Sequence, residues 1–268
     1  MFMLQDKLNR PIRVVVFGSG PKLTYDVRQF LCRLEVEPEI DLLGAFCQSE
    51  SQSISAVFKD LWRRRGFLAF PLFISVNIAE TVRFLQHPLA EIASRSKLRQ
   101  ISNRIHFVKK IHSEEVLDRV SALQPDLGLI YGSPILKPKL FEIPKLGTLG
   151  IHHGKLPEYR GNKTVFWSMI NGESVAGVTV QKVNKGLDTG SIVKEGEVLI
   201  GRKSYSTVFR EVENLGLNLY VHAILEVKNG TATFRPQPIV KDKLYRNPKP
   251  RDFIYLWLKQ IKRRSGVA

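Results

Sequence analysis

Residues 149–192 read LGIHHGKLPEYRGNKTVFWSMINGESVAGVTVQKVNKGLDTGSI. A short apolar run ends in the pair His152 and His153. A Pro/Tyr/Arg/Gly turn, a helix-like segment and a β-branched strand follow, and the stretch closes on the loop Gly186-Leu187-Asp188-Thr189-Gly190. Histidine is the side chain whose ordinary pKa lies nearest neutrality. Glycines around Asp188 place its carboxylate on a tight turn rather than a helix face. His152 and Asp188 are therefore the first candidates for an acid/base pair.

Working toward the N-terminus, Leu146–Ile151 is expected to be a strand, with Gly147 and Gly150 permitting close backbone approach. Ahead of it, Leu127–Tyr131 (LGLIY) is a strand ending in GSPILKP, and Ser113–Leu123 is a helix opened by Ser113 with acids in its first turn. Ile12–Phe17, Ile40–Cys47 and Ile105–Val108 supply three more strands, and a helical pattern fills 24–34. Strand and helix alternate, and the apolar strands suit a parallel sheet covered on both faces. The site should then lie at the strand C-termini. Gly18-Ser19-Gly20 follows the first strand, but Leu23 stands where a dinucleotide fingerprint needs its third glycine, so it reads as a plain turn.

Toward the C-terminus, a strand is expected at Lys194–Ile200, a long helix at Thr207–Val227 and a hairpin-like pair through Gly230. Two segments stand out. An insertion at about 54–102 carries Arg63–Arg65 and the apolar run from Gly66 to Ala79, and the tail after 241 is basic but holds Phe253, Tyr255, Leu256, Trp257 and Leu258. Both fit either packing or an interfacial contact. The expected organisation is an α/β domain over 1–230 with that helical insertion, then a short basic C-terminal extension over 231–268.

The chain has 268 residues, 43% hydrophobic, with a net charge of +16. This is globular composition, and the charge favours anionic partners such as phosphorylated small molecules, nucleic acid or an anionic membrane surface, without choosing among them. Two cysteines, both in apolar segments, argue against a disulfide framework or a cysteine-ligated metal. With no leader-like or 18-residue apolar segment, a cytoplasmic protein is expected, peripheral to the membrane if the apolar-basic segments act there.

HHGKLPEYRG, then GVTV at 177–180, then GLDTGSIV at 186–193, resembles the formyltransferase family that uses 10-formyltetrahydrofolate. IYGSPILKP at 130–138 is similar to the loop this family sets against the pteridine. The resemblance implies a Rossmann-like, mostly parallel sheet with helices on both faces and transfer of a formyl group to a primary amine. The acceptor it suggests is small and anionic, such as a nucleotide-linked amino sugar. Catalysis would fall to His152 and Asp188. Folate would be gripped by Tyr131, Gly132, Ser133, Pro134, Ile135 and Leu136 on one side and by Val183, Gly186 and Leu187 on the other. No metal is implied. Nucleic acid is a less expected partner, and homo-oligomerisation is compatible with the family.

The sequence departs from the family pattern Asn-x-His-x-Ser-Leu-Leu-Pro, with Gly150 at the Asn and Gly154 at the Ser. Losing one oxyanion donor costs roughly 3 to 4 kcal/mol of transition-state stabilisation. His153 and Lys155 are candidates to compensate, both being able to donate. Lys155, Arg160 and Lys163 are candidate acceptor-anion ligands. The departure leaves two alternatives to transfer: hydrolysis of formyltetrahydrofolate, or a catalytically silent module binding folate or a partner at a membrane.

Overall fold

The structure, a computed structural model, describes residues 9–20, 23, 25–49, 62, 96, 98–238 and 244–265. Apart from Trp62, the apolar-basic segment at 61–79 lies outside them, as does most of the insertion.

β1 (Ile12–Ser19), β2 (Ile40–Gln48), β3 (Ile105–Val108), β4 (Leu127–Ile130) and β5 (Thr148–His152) pair in parallel, in the order β3-β2-β1-β4-β5. β7 (Val175–Lys182) and β8 (Ile192–Leu199) extend the same sheet antiparallel, giving seven strands. Alternate side chains of β1 point to opposite faces, as pleating requires. Val14 and Val16 pack under α1 (Tyr25–Val36) and α5 (Tyr205–Lys228). Val15 and Phe17 pack under α2 (Glu114–Leu123) and α3 (Pro138–Phe141). Burial on both faces is what makes these strands continuously apolar. Cys32 and Cys47 are buried and not joined in a disulfide, and burial raises the Cys47 thiol pKa to about 11.

α5 opens on Ser204, whose hydroxyl accepts from the Thr207 amide at 3.2 Å. Its buried stripe includes Val208, Val212, Gly216, Tyr220 and Ile224. The Tyr220 hydroxyl donates to the carbonyl of Leu149 at 2.7 Å, tying the helix to β5 beside the histidines.

Two expectations are corrected. Among the described residues no hairpin runs through Gly230: φ of +67° there ends the α5 region, and residues 231–238 make one antiparallel bridge, Arg235 to Ile192. β5 starts at Thr148 rather than Leu146 and takes in His152 as its last residue. The residues after 230 also do not stand apart. β9 (Leu244–Tyr245) pairs with β6 (Arg160–Gly161), and α6 (Pro250–Ser265) packs on α4 (Thr164–Asn171) through buried Leu256. Tyr245 stacks on Tyr159 at 5.1 Å, and the Trp167 indole N–H donates to the Arg246 carbonyl at 2.8 Å. No helix among the described residues is long and apolar enough to cross a membrane.

Candidate active site

The C-terminal ends of β4 and β5 open into a cavity of about 660 Å³, closed by the loop after β7, by α5 and by β9. His152, at the end of β5, is held by its strand and is nearly buried. Its Nε2 lies 2.6 Å from the Tyr159 carbonyl oxygen, which can only accept, so Nε2 is the protonated nitrogen. Nδ1 faces Asp188 Oδ1 at 3.6 Å. Only the doubly protonated ring can donate toward both.

Asp188 adopts φ of +52°, a left-handed conformation that its short side chain tolerates. Gly161 N–H donates to its Oδ2 at 3.0 Å and Gln181 Nε2 to its Oδ1 at 3.2 Å, which fixes the carboxylate toward His152. Gln181 is held in turn by the Gly190 amide, and Gln237 Nε2 donates to the Gly190 carbonyl at 2.6 Å. The Arg160 guanidinium donates twice to the Leu187 carbonyl, at 2.9 and 3.2 Å, and so fastens the loop from the other side.

His153 points to a different wall. Its Nε2 lies 2.6 Å from Glu213 Oε2, on the buried face of α5, while about a quarter of the side chain stays exposed, toward the cavity. Removal from water, reinforced by the positive charges of His152 and Lys163, lowers its pKa to about 4, so the ring is neutral at pH 7. Between pH 6.5 and about 4 the unfolded chain takes up a proton that the folded ring refuses, so stability is full above 6.5 and falls as pH drops. Thermal melts across that window should therefore lose stability with acid, and His153→Gln should flatten the slope there. Asp126 is pushed up by burial, but its bonds to Arg10 and the Arg13 amide outweigh this and lower it, so its contribution is lost only below pH 3.8. A melt curve flat from 6.5 to 4 would contradict the assignment for His153.

Glycines 150 and 154 have opposite causes. A Cβ at Gly154 would sit 2.6 Å from the Tyr159 carbonyl and 2.7 Å from His152 Nε2, so this position excludes any side chain. At Gly150 the nearest atom to an added Cβ is Val183 Cγ2 at 3.4 Å, ordinary contact, so a Cβ is not excluded there.

All the residues expected to bind folate line the cavity: 131–136 from the loop after β4, and Val183, Gly186 and Leu187 from the loop after β7. The expected anion ligands do not. Lys155 pairs with Glu197 at 2.8 Å, away from the cavity, and Arg160 holds the Leu187 carbonyl. Lys163 caps α4 in a left-handed conformation and is not among the lining residues. Lys185 and Arg246 are the basic residues that do line it. Sequence reasoning also missed Gln181, Glu213, Gln237, Asn162 and Tyr245. Glu213 was signalled as the one acid in the buried stripe of α5; the others carry no sequence signal beyond polarity. Among the described residues no cluster of His, Cys, Asp and Glu could hold a metal ion.

A mostly parallel sheet with a cavity at its strand ends is the Rossmann-like arrangement expected of the formyltransferase fold. The chain belongs to the formyl transferase family, whose model matches residues 86–224, just over half of it. It is similar to the methionyl-tRNA formyltransferase of Thermodesulfovibrio yellowstonii, 32% identical over 132 residues, 48% of this chain and 42% of that protein. The match thus spans less than half the length of that relative. In fold it is similar to a sugar N-formyltransferase from Shewanella sp. (TM-score 0.58, 14% identity, 93% of this chain and 87% of that one). A formyltetrahydrofolate deformylase from Pseudomonas syringae is also similar (TM-score 0.56, 18% identity, 81% of this chain and 61% of that one).

Proposed function

We propose that the protein transfers a formyl group from 10-formyltetrahydrofolate to a primary amine of a small anionic acceptor, such as a nucleotide-linked amino sugar. The observation that carries this reading is the His152/Asp188 pair, 3.6 Å apart with the carboxylate held by two donors, on the wall of a cavity sized for a small molecule.

The two loops at 131–136 and 183–187 would hold the folate, whose chemistry when bound is to supply an activated formyl group. Their fit is supported by the open backbone they offer: Gly132 has φ of +63°, and Ile135 is 73% exposed beside the cavity. As the amine nitrogen bonds to the formyl carbon, His152 would donate a hydrogen bond from Nδ1 to the formyl oxygen, where negative charge develops. Asp188 would receive the proton released by the amine and return it to the tetrahydrofolate nitrogen as the bond from that nitrogen to the formyl carbon breaks.

His153 takes a role different from the oxyanion donor expected from its position. His153 lines the cavity with Nε2 2.6 Å from Glu213 Oε2, and a neutral ring has one nitrogen that could accept from an amine N–H. Glu213 would fix that orientation, in the way a third group orients a catalytic base. Lys185 and Arg246 would attract the acceptor's phosphate or carboxylate.

Titration calorimetry with tetrahydrofolate and its 10-formyl derivative is the direct test. Binding should be measurable below millimolar concentration and weakened by Gly132→Val. Absence of heat and of any thermal shift at millimolar folate would remove transfer and hydrolysis together. Binding accompanied by formate release, with no amine product, would instead favour the hydrolase alternative.

A further inference from the structure

α6 is docked by one side only. Leu256 is buried, Phe253 packs on Phe166 at 4.9 Å, the Lys259 ammonium donates to the Ile170 carbonyl at 2.5 Å and Arg263 to the Glu173 carbonyl at 3.2 Å. On the opposite side stand Ile254, Trp257, Leu258 and Ile261, exposed by 62%, 59%, 52% and 46%. Their spacing of three, four and seven residues makes one apolar stripe along the helix, of the kind a helix normally turns inward. Here it faces out. At 100° per residue, Arg251 and Lys262 fall on one flank of the stripe. Between 249 and 263 there are five basic residues and one acid, Asp252.

We infer that α6 lays this stripe on an anionic lipid surface. An apolar stripe containing tryptophan and bordered by basic side chains is the pattern of a helix lying in the plane of a membrane interface. Charge selects this occupant over a second copy of the chain, since pairing the stripe with itself would bring the basic flank of Arg251 and Lys262 against its own copy with no acidic flank to meet it. The contact has a consequence for the site, because Tyr245 and Arg246 form part of the cavity wall and α6 begins four residues later.

Co-sedimentation of the full chain with vesicles tests this. Phosphatidylcholine vesicles containing a quarter phosphatidylserine should bind at least about tenfold more protein than pure phosphatidylcholine, and high salt should abolish the difference. Trp257→Ser with Leu258→Ser should reduce binding at least about tenfold. Arg251→Glu with Lys262→Glu should reduce it by about fivefold or more per charge. All four positions are exposed, so unchanged thermal melts would confirm that folding is intact. Equal pelleting with and without phosphatidylserine, or full binding by the serine double variant, would overturn the inference. So would a dimer in light scattering that the serine variant dissociates while vesicles bind nothing, which would assign the face to a second copy. Folate calorimetry does not depend on α6, so failure here and failure of the transfer reading are separable.

Discussion

His152→Asn and Asp188→Asn each lower formyl-transfer turnover by about 100-fold or more, the range expected for oxyanion and acid/base groups. Folate affinity changes little, because the loops at 131–136 and 183–187 are left in place. The asparagine at 188 keeps the bond from Gly161 but removes the charge that faces Nδ1 at 3.6 Å. Its loss should therefore appear in kcat rather than in KM for folate. Single-turnover transfer with a folate-saturated enzyme checks this. A loss below about threefold in either variant, roughly 0.6 kcal/mol, would mean that the pair is structural.

His153→Ala lowers kcat/KM for the amine by about 100-fold, and Glu213→Gln by about tenfold, as expected for a group that meets the amine and one that only orients it. Glu213→Gln keeps the packing of α5, so a comparable change in melting temperature would point to a structural role instead. The discriminating variant is Gly150→Asn, for which the added Cβ has room. If His153 holds the amine, Gly150→Asn raises turnover of the native protein but does not rescue His153→Ala. Rescue of His153→Ala by the asparagine would show that His153 stands in for the missing oxyanion donor. No activity in either background with any amine would favour the silent binding module.

The inner strands of the parallel half were legible because they are buried on both faces and read as short apolar runs; the half-exposed edge strand β3 still coincides with Ile105–Val108 residue for residue. The pair His152 and Asp188 was legible because a strand end and a glycine turn each leave a local signature. What holds them was not. Gln181, Gln237 and Tyr159 act through a side-chain amide or a backbone carbonyl that depends on contacts far along the chain, and no short-range pattern encodes them. Lys155 and Arg160 were misplaced for a related reason: nearness in sequence to His152 says nothing about which face of the loop a long side chain takes. The hairpin through Gly230 failed because the turn dipeptide Asn229-Gly230 serves equally to end a helix.

The pairing of β9 with β6 alters what the division of the chain at 230 means. That boundary separates compositions, yet Leu244, Tyr245 and Arg246 stand around the same cavity as His152. Asn162 N–H donates to the Tyr245 carbonyl at 2.8 Å, one residue beyond the glycine that holds Asp188. Cavity shape and the C-terminal segment are thus a single heritable unit: recombination that exchanges residues 244–265 with a relative would exchange one wall of the cavity at the same stroke.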